Sequence, residues 1–303
     1  MKTTIKILND IPFDPKRYDP YRSNTEFDKI LSSNGGLSPG TNYMIAGPPG
    51  VAKSTITLKY SASLQKNNYK VLCINSEMSL QDMIPFHQLN PDIGNIPILY
   101  IQDILNNDES IKDTIEQFIN EGYHSIIIDS WAELIESIKS QSNDNTNKIE
   151  KWLMSILWAN NEGKNKKNIY TSFLLIQQVT KGGVFVGNNR IKHLITGMLE
   201  LNFEDDDDQW RYIKVTKNRR GPVNKRLYYR LNQEGDLIYD YNRTNENIKS
   251  KELKELEITS LQKDKNQFDF WVKNAKIKNN QKTKNPGSYG SSQGYEINTN
   301  NHF

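Results

Sequence analysis

The stretch GPPGVAKST, residues Gly47 to Thr55, decides how the rest of the chain is read. It follows TNYMIAG, an apolar run of strand length, and precedes KSTITLKYSASLQKNN, which has a helical pattern ending at an asparagine pair. Strand, glycine-rich turn and helix in that order form the setting of a phosphate-binding loop, G-x-x-x-x-G-K-[ST]. In such a loop the backbone N–H groups and the positive end of the helix bind phosphate oxygens. Gly47, Pro48, Pro49, Gly50, Val51, Ala52, Lys53, Ser54 and Thr55 are therefore the candidate nucleotide-binding residues. Lys53 reaches the β- and γ-phosphates, and the Ser54 hydroxyl holds Mg²⁺. Ala52 stands where the pattern has its last glycine. Next to the lysine, it is expected at the helix entry with right-handed φ and ψ, where a methyl group is tolerated.

Working outward, NYMIAG, KVLCIN, HSIIID and SFLLIQ are continuous Ile/Leu/Val-rich runs, as expected of strands covered by helices on both faces. They predict an α/β fold with a mostly parallel sheet over residues 25–243. Within it, GMLELNFEDDDDQWRYIKVTKNRRGPVNKRLYYRLNQEGDLIYDYN reads as successive strands turning at EDDDDQ and NQEGD, an antiparallel extension. Residues 1–24, with their Asp-Pro turns, are expected as an extended arm, and 244–303 as a charged helix followed by a disordered polar tail.

The 303 residues carry 39 Lys or Arg against 36 Asp or Glu, so overall charge does not mark a nucleic-acid binder and any basic surface must be local. The single cysteine, Cys73, has no partner for an internal disulfide, and no apolar run approaches the roughly 20 residues that span a bilayer. A soluble cytoplasmic protein with no membrane partner is expected.

Hydrolysis of a bound nucleotide needs a carboxylate near the metal and a base for water. Asp129 ends the run HSIIID, at the strand end where open α/β sheets bind ligands, and is the candidate metal ligand. Glu77, in NSEMS after the strand KVLCIN, is the candidate general base. Gln177 or Gln178, ending a fourth strand, can sense a γ-phosphate. The following VTKGGVFVGNNRIKH places Lys181, Arg190, Lys192 and His193 in a glycine-rich loop suited to a phosphodiester backbone. Lys217 and Arg219, two apart in KVTKNRRGP, face one way on a strand and can act on a γ-phosphate, including that of a neighbouring subunit.

The order of GGLSPGTNYMIAGPPGVAKST, NSEMS, IIIDS, LLIQQVTKGG and TKNRRGP resembles the RecA-like ATPase core shared by bacterial RadA/Sms proteins and DnaB-type replicative helicases, over about residues 25 to 240. The resemblance implies ATP and Mg²⁺ as cofactors, Lys53 and Ser54 at phosphates and metal, Asp129 at the metal and Glu77 as base. It selects Gln178 as the γ-phosphate sensor, puts Lys181 and its loop at DNA, and makes Lys217 and Arg219 fingers for the adjacent subunit. Gln178 stands where RadA proteins carry His, and Arg220 where they carry Phe. With one cysteine and about 60 residues after the core, the chain reads as a motor core without RadA's zinc module or Lon-like domain. The expected activity is an ATP- and Mg²⁺-dependent motor, a hexameric ring or filament translocating on single-stranded DNA as a helicase in replication or recombination. The tail is a candidate site for a replication or recombination partner. The alternative is an ATP-switched recombination mediator or helicase loader that binds single-stranded DNA without unwinding.

Overall fold

In a computed structural model, residues 13–179, 191–204 and 207–246 are described, with the single positions 7 and 262. The chain divides into Met1–Ile248 and Lys249–Phe303. The expected charged helix and polar tail lie outside the described residues but for a few positions.

The elements follow in the order Asp28–Leu31 (α1), Asn42–Gly47 (β1), Lys53–Lys66 (α2), Val71–Asn75 (β2), Leu80–Leu89 (α3), Ile98–Tyr100 (β3), Ile101–Asn106 (α4), Ile111–Ile119 (α5), Ser125–Asp129 (β4), Trp131–Gln141 (α6), Thr146–Asn161 (α7), Ser172–Gln178 (β5), Ile191–Leu194 (α8), Gly197–Glu204 (β6), Asp207–Asn218 (β7), Arg226–Leu231 (β8) and Leu237–Tyr239 (β9). They build one sheet of nine strands in the order β3-β2-β4-β5-β1-β6-β7-β8-β9. From β3 to β6 all neighbours are parallel, and from β6 to β9 all are antiparallel. The four apolar runs are the central strands β1, β2, β4 and β5, and the antiparallel wing follows them as expected.

Alternation along each strand divides the core in two. Tyr43 and Ile45 of β1 pack with Leu58 and Leu64 of α2 and with Ile213, Val215 and Tyr229 of the wing. Met44 and Ala46 face the other way, onto the layer containing Ile115, Leu134 and Leu153 of α5, α6 and α7. In α5, Ile111, Ile115 and Ile119 recur every fourth residue and are all buried, so the helix is held by one apolar stripe. Its N-terminus is capped by the Ser110 hydroxyl, which accepts from the Asp113 N–H. The segment ahead of residue 25 also packs on this core: Tyr21 is buried, pairs its backbone with Leu37, and donates its hydroxyl to the Tyr170 carbonyl at 2.9 Å.

Candidate functional site

Parallel pairing brings the C-terminal ends of β1, β2, β4 and β5 to one edge of the sheet. Gly47 is level with Gln178, and Asn75 with Asp129. Sequence-distant side chains therefore converge on the turn after β1.

Two glycines shape that turn for different reasons. A Cβ on Gly47 would lie 2.6 Å from the Leu201 carbonyl oxygen of β6, so the position is fixed by close packing. Gly50 has φ +76° and open space where its Cβ would be, the geometry of a backbone cradle left clear for a ligand. Ala52 overturns its expectation. It is the N-cap of α2 with φ 72° and ψ 33°, in the left-handed region, and no side chain caps the helix start. Left-handed backbone puts Cβ close to the following carbonyl, which costs roughly 1–2 kcal/mol for a residue other than glycine. The glycine of the usual pattern removes that strain, and this chain carries it.

Lys53 is buried and donates from Nζ to the carbonyl oxygens of Gly47 (2.9 Å) and Pro48 (3.0 Å). Burial lowers its pKa, while Glu77 and Asp129 oppose that shift. The lysine thus lies across the mouth of the loop, within electrostatic reach of two carboxylates.

Asp129 ends β4 and is buried. Its pKa is pushed up to about 6, first by burial, with a hydrogen bond from Ser54 and the charge of Lys53 opposing and the proximity of Glu77 reinforcing. It does not cap α6; that cap is Ser130, whose side chain accepts from the Glu133 N–H. Its Oδ1 is buried with no hydrogen-bond partner among the described residues. A buried carboxylate oxygen without a donor is costly unless a cation completes it. With the Ser54 hydroxyl hydrogen-bonded to the same carboxylate, this oxygen donor set fits Mg²⁺.

Glu77 is exposed just beyond β2. The turn that carries it is built by Asn75, whose Oδ1 accepts from the N–H of Glu77 (3.3 Å) and Met78 (3.1 Å) while its Nδ2 donates to the Met78 carbonyl (2.6 Å). The turn is tied to β4 by Ser76, whose N–H donates to the Asp129 carbonyl at 2.7 Å. Sequence reasoning passed over Asn75; a buried Asn ending an apolar strand, ready to fold its own turn, was the available signal.

Strand geometry separates the two glutamines. Gln177 is buried and its Nε2 donates to the Gln178 carbonyl at 3.4 Å. Gln178 reaches across the site and donates from Nε2 to Glu77 Oε1 at 2.6 Å. The candidate sensor and the candidate base are therefore in direct contact.

The remaining candidates fall elsewhere. Lys181 and Arg190 lie outside the described residues. Lys192, on α8, lines a polar cavity of about 170 Å³ shared with Gly47 and Asn202. Lys217 donates from Nζ to the Lys192 carbonyl, and Arg219 from Nη2 to the His193 carbonyl at 2.9 Å, so both point to the same side. Lys217 is level with Met198, which is level with Met44 near the start of β1. Arg219 is two residues further, its N–H on the Thr196 carbonyl. The phosphate loop leaves the far end of β1 after Gly47, three residues beyond the level of Lys217 and five beyond that of Arg219, or about 10 and 17 Å along the strand. Neither cation joins its own chain's loop.

A family model described as ATPase: KaiC matches residues 23–240. The chain belongs to this KaiC-type family of RecA-like ATPases. Among curated relatives it is similar to the DNA repair protein RadA of Helicobacter pylori strain 26695, 27% identical over 214 residues covering 70% of this chain and 45% of RadA. The Bacillus subtilis RadA is 24% identical over 211 residues, 69% of this chain and 43% of that protein. The chain thus matches less than half the length of these relatives. Among solved structures, the flagellar accessory protein FlaH of Methanocaldococcus jannaschii superposes with a TM-score of 0.54 at 16% identity, over 73% of this chain and 99% of FlaH. The KaiC-like protein PH0186 of Pyrococcus horikoshii OT3 gives 0.51 at 16% identity, over 73% and 99%. Both share the fold. No described helix is long and apolar enough to cross a membrane.

Proposed function

We propose that this chain hydrolyses ATP with Mg²⁺ and couples hydrolysis to movement on single-stranded DNA, as a helicase-type motor of recombination or replication. The observation that carries the ATPase reading is the single sheet edge on which Lys53, Ser54, Asp129, Glu77 and Gln178 converge. Similarity to proteins named for DNA repair supports the DNA half.

On this reading, Lys53 exchanges its two loop carbonyls for the β- and γ-phosphates, and the loop N–H groups bind the remaining oxygens. Ser54 and Asp129 hold Mg²⁺, which neutralises phosphate charge when bound. Glu77 takes a proton as water attacks the γ-phosphorus and the bond to the ADP oxygen breaks. Gln178 orients Glu77 through the bond at 2.6 Å and, as the last residue of β5, passes the state of the site to the segment that follows Val179. Lys217 and Arg219 act on the nucleotide of an adjoining copy.

That coupling also supports a second reading, ATP-switched assembly on single-stranded DNA without unwinding. ATP hydrolysis measured with and without single-stranded DNA tests the first. Stimulation by DNA that is lost in Lys53→Ala supports it; hydrolysis indifferent to both sinks it. A strand-displacement assay then separates motor from mediator.

A further inference from the structure

A second cavity, of about 300 Å³, lies at the edge of the sheet away from the phosphate loop. Its lining comes from residues just ahead of three strands, Tyr69 before β2, His124 before β4 and Tyr170 before β5, joined by Lys16 and Tyr21 of the N-terminal segment. His124 and Asp129 bracket β4, so the cavity is about 17 Å along that strand from the candidate metal ligand.

Three rings pack on one another there. The centroids of Tyr21 and Tyr69 are 5.1 Å apart and lie 5.0 and 5.2 Å from that of His124. Tyr170 adds a fourth ring, with the Arg17 guanidinium 4.6 Å over its face. Lys167, also in the lining, sits on a turn built by Asn165. The Asn165 Oδ1 accepts from the N–H of Lys167 (3.2 Å) and Ile169 (3.1 Å), and its Nδ2 donates to the Ile169 carbonyl at 2.7 Å. Walls ordered in advance lower the cost of holding a ligand.

The polar groups are sorted by kind. Acceptors are spent: the Tyr170 carbonyl takes the Tyr21 hydroxyl (2.9 Å), Asp14 takes the Tyr170 hydroxyl and the Lys16 N–H, Asp19 is bound by Arg22 (3.2 Å) and Glu121 by Lys166. The donors remain unspent. The Nδ1 of His124 accepts the Lys70 N–H at 2.9 Å, so the neutral ring carries its proton on Nε2. Among the described residues that N–H has no acceptor, the Tyr69 hydroxyl has no hydrogen-bond partner, and Lys16 and Lys167 are in no ion pair.

We propose that this cavity binds a planar aromatic anion of the class of a nucleoside monophosphate, its ring against the tyrosines and its phosphate on Lys16 and Lys167. Ring walls alone also suit a cation, but two unpaired ammonium groups repel one. Ligand pockets run from roughly 300 to 1,000 Å³, so this one takes a single base with its phosphate rather than a dinucleotide. Bound there, the ligand ties residues 16–21 to the starts of β4 and β5, whose far ends carry Asp129 and Gln178. The site needs no nucleotide at the phosphate loop.

Calorimetric titration of the full chain with AMP, the phosphate loop first filled with a non-hydrolysable ATP analogue and Mg²⁺, tests this. AMP is expected to bind, about 10-fold more tightly than adenosine or inorganic phosphate alone. Lys16→Ala/Lys167→Ala, at two exposed positions, weakens AMP about 10-fold, as does Tyr69→Ala. Both variants bind the ATP analogue as wild type does, which shows that the fold is intact. Lys53→Ala binds AMP unchanged. No bound AMP, equal binding by wild type and the lysine variant, or loss of AMP in Lys53→Ala overturns the proposal. Binding of a 5′-phosphorylated oligonucleotide without binding of AMP also overturns it and assigns the cavity to a strand end. Failure of the analogue to bind wild type defeats the ATPase reading and leaves the AMP result standing.

Discussion

The hydroxyl of Tyr229, on β8, donates a 2.6 Å hydrogen bond to the carbonyl oxygen of Val51 in the phosphate loop. Both residues are fully buried, so the wing braces the loop from below. Tyr229→Phe keeps the ring and leaves that carbonyl without its donor. A buried unsatisfied acceptor costs about 1–3 kcal/mol. Thermal melting of the variant is expected to show that loss, and titration with ATP is expected to show weakened binding, because the loop loses a support and none of its own atoms.

Ala52 gives a prediction of the opposite sign. Its φ of 72° is strain that glycine avoids, partly offset by the extra freedom glycine gains in the unfolded chain and by loss of the methyl packing. Ala52→Gly is expected to raise stability by about 0.5–1 kcal/mol, read as a small rise in melting temperature. Ala52→Val, β-branched at the same φ, is expected to lower it. Equal melting of all three would contradict the left-handed assignment.

If Glu77 is the base, Glu77→Gln binds ATP as wild type does and turns over 10²–10⁴-fold more slowly, an order-of-magnitude range. Gln178→Ala removes the donor at 2.6 Å from Glu77 and is expected to lower turnover less than Glu77→Gln does while reducing the response to DNA. Single-turnover kinetics with and without DNA separates the two effects.

If Lys217 and Arg219, three and five strand residues short of their own loop, act on the nucleotide of an adjoining copy, their contribution is complementable. Lys217→Ala or Arg219→Ala lowers turnover by about 10³-fold or more with nucleotide affinity kept. Mixing Arg219→Ala with the equally inactive Lys53→Ala in equal amounts restores about a quarter of wild-type activity, the share of junctions with both groups intact. No recovery in freshly exchanged mixtures argues against action between copies.

His124 supplies a pH dependence. It stands at the start of β4 with Tyr21 and Tyr69 edge-on to its ring, and its Nδ1 accepts the Lys70 N–H at 2.9 Å. Burial lowers its pKa from the ordinary 6.5. The unfolded chain therefore takes up this proton at higher pH than the folded one. Stability from this group is complete above 6.5 and is lost as pH falls through 6.5 toward the lowered folded value. Melting temperatures between pH 7.5 and 5.5, both rough bounds around that value, are expected to fall more in wild type than in His124→Gln.

The central strands were legible in the sequence because each is buried on both faces, which forces a continuous apolar run. Lys53, Asp129 and Glu77 were legible because each ends or follows such a run. The segment from Leu80 to Ile119 was not: β3 has three residues, and α3 and α4 are short and leave apolar residues outside. The φ of Ala52 was missed because a motif fixes residue types and not the torsion at the helix entry. Alternation left Gln177 and Gln178 open and the resemblance selected Gln178, whose reach to Glu77 only the folded sheet displays. The position of Lys217 and Arg219 needed the reversal of direction at β6.

Both outermost strands of the sheet, Ile98–Tyr100 and Leu237–Tyr239, have only three residues. A rim that short exposes few free backbone donors and acceptors, so another polypeptide finds little ladder to extend. Open-ended cross-strand polymerisation, the route to amyloid, is thereby disfavoured at both ends of the sheet.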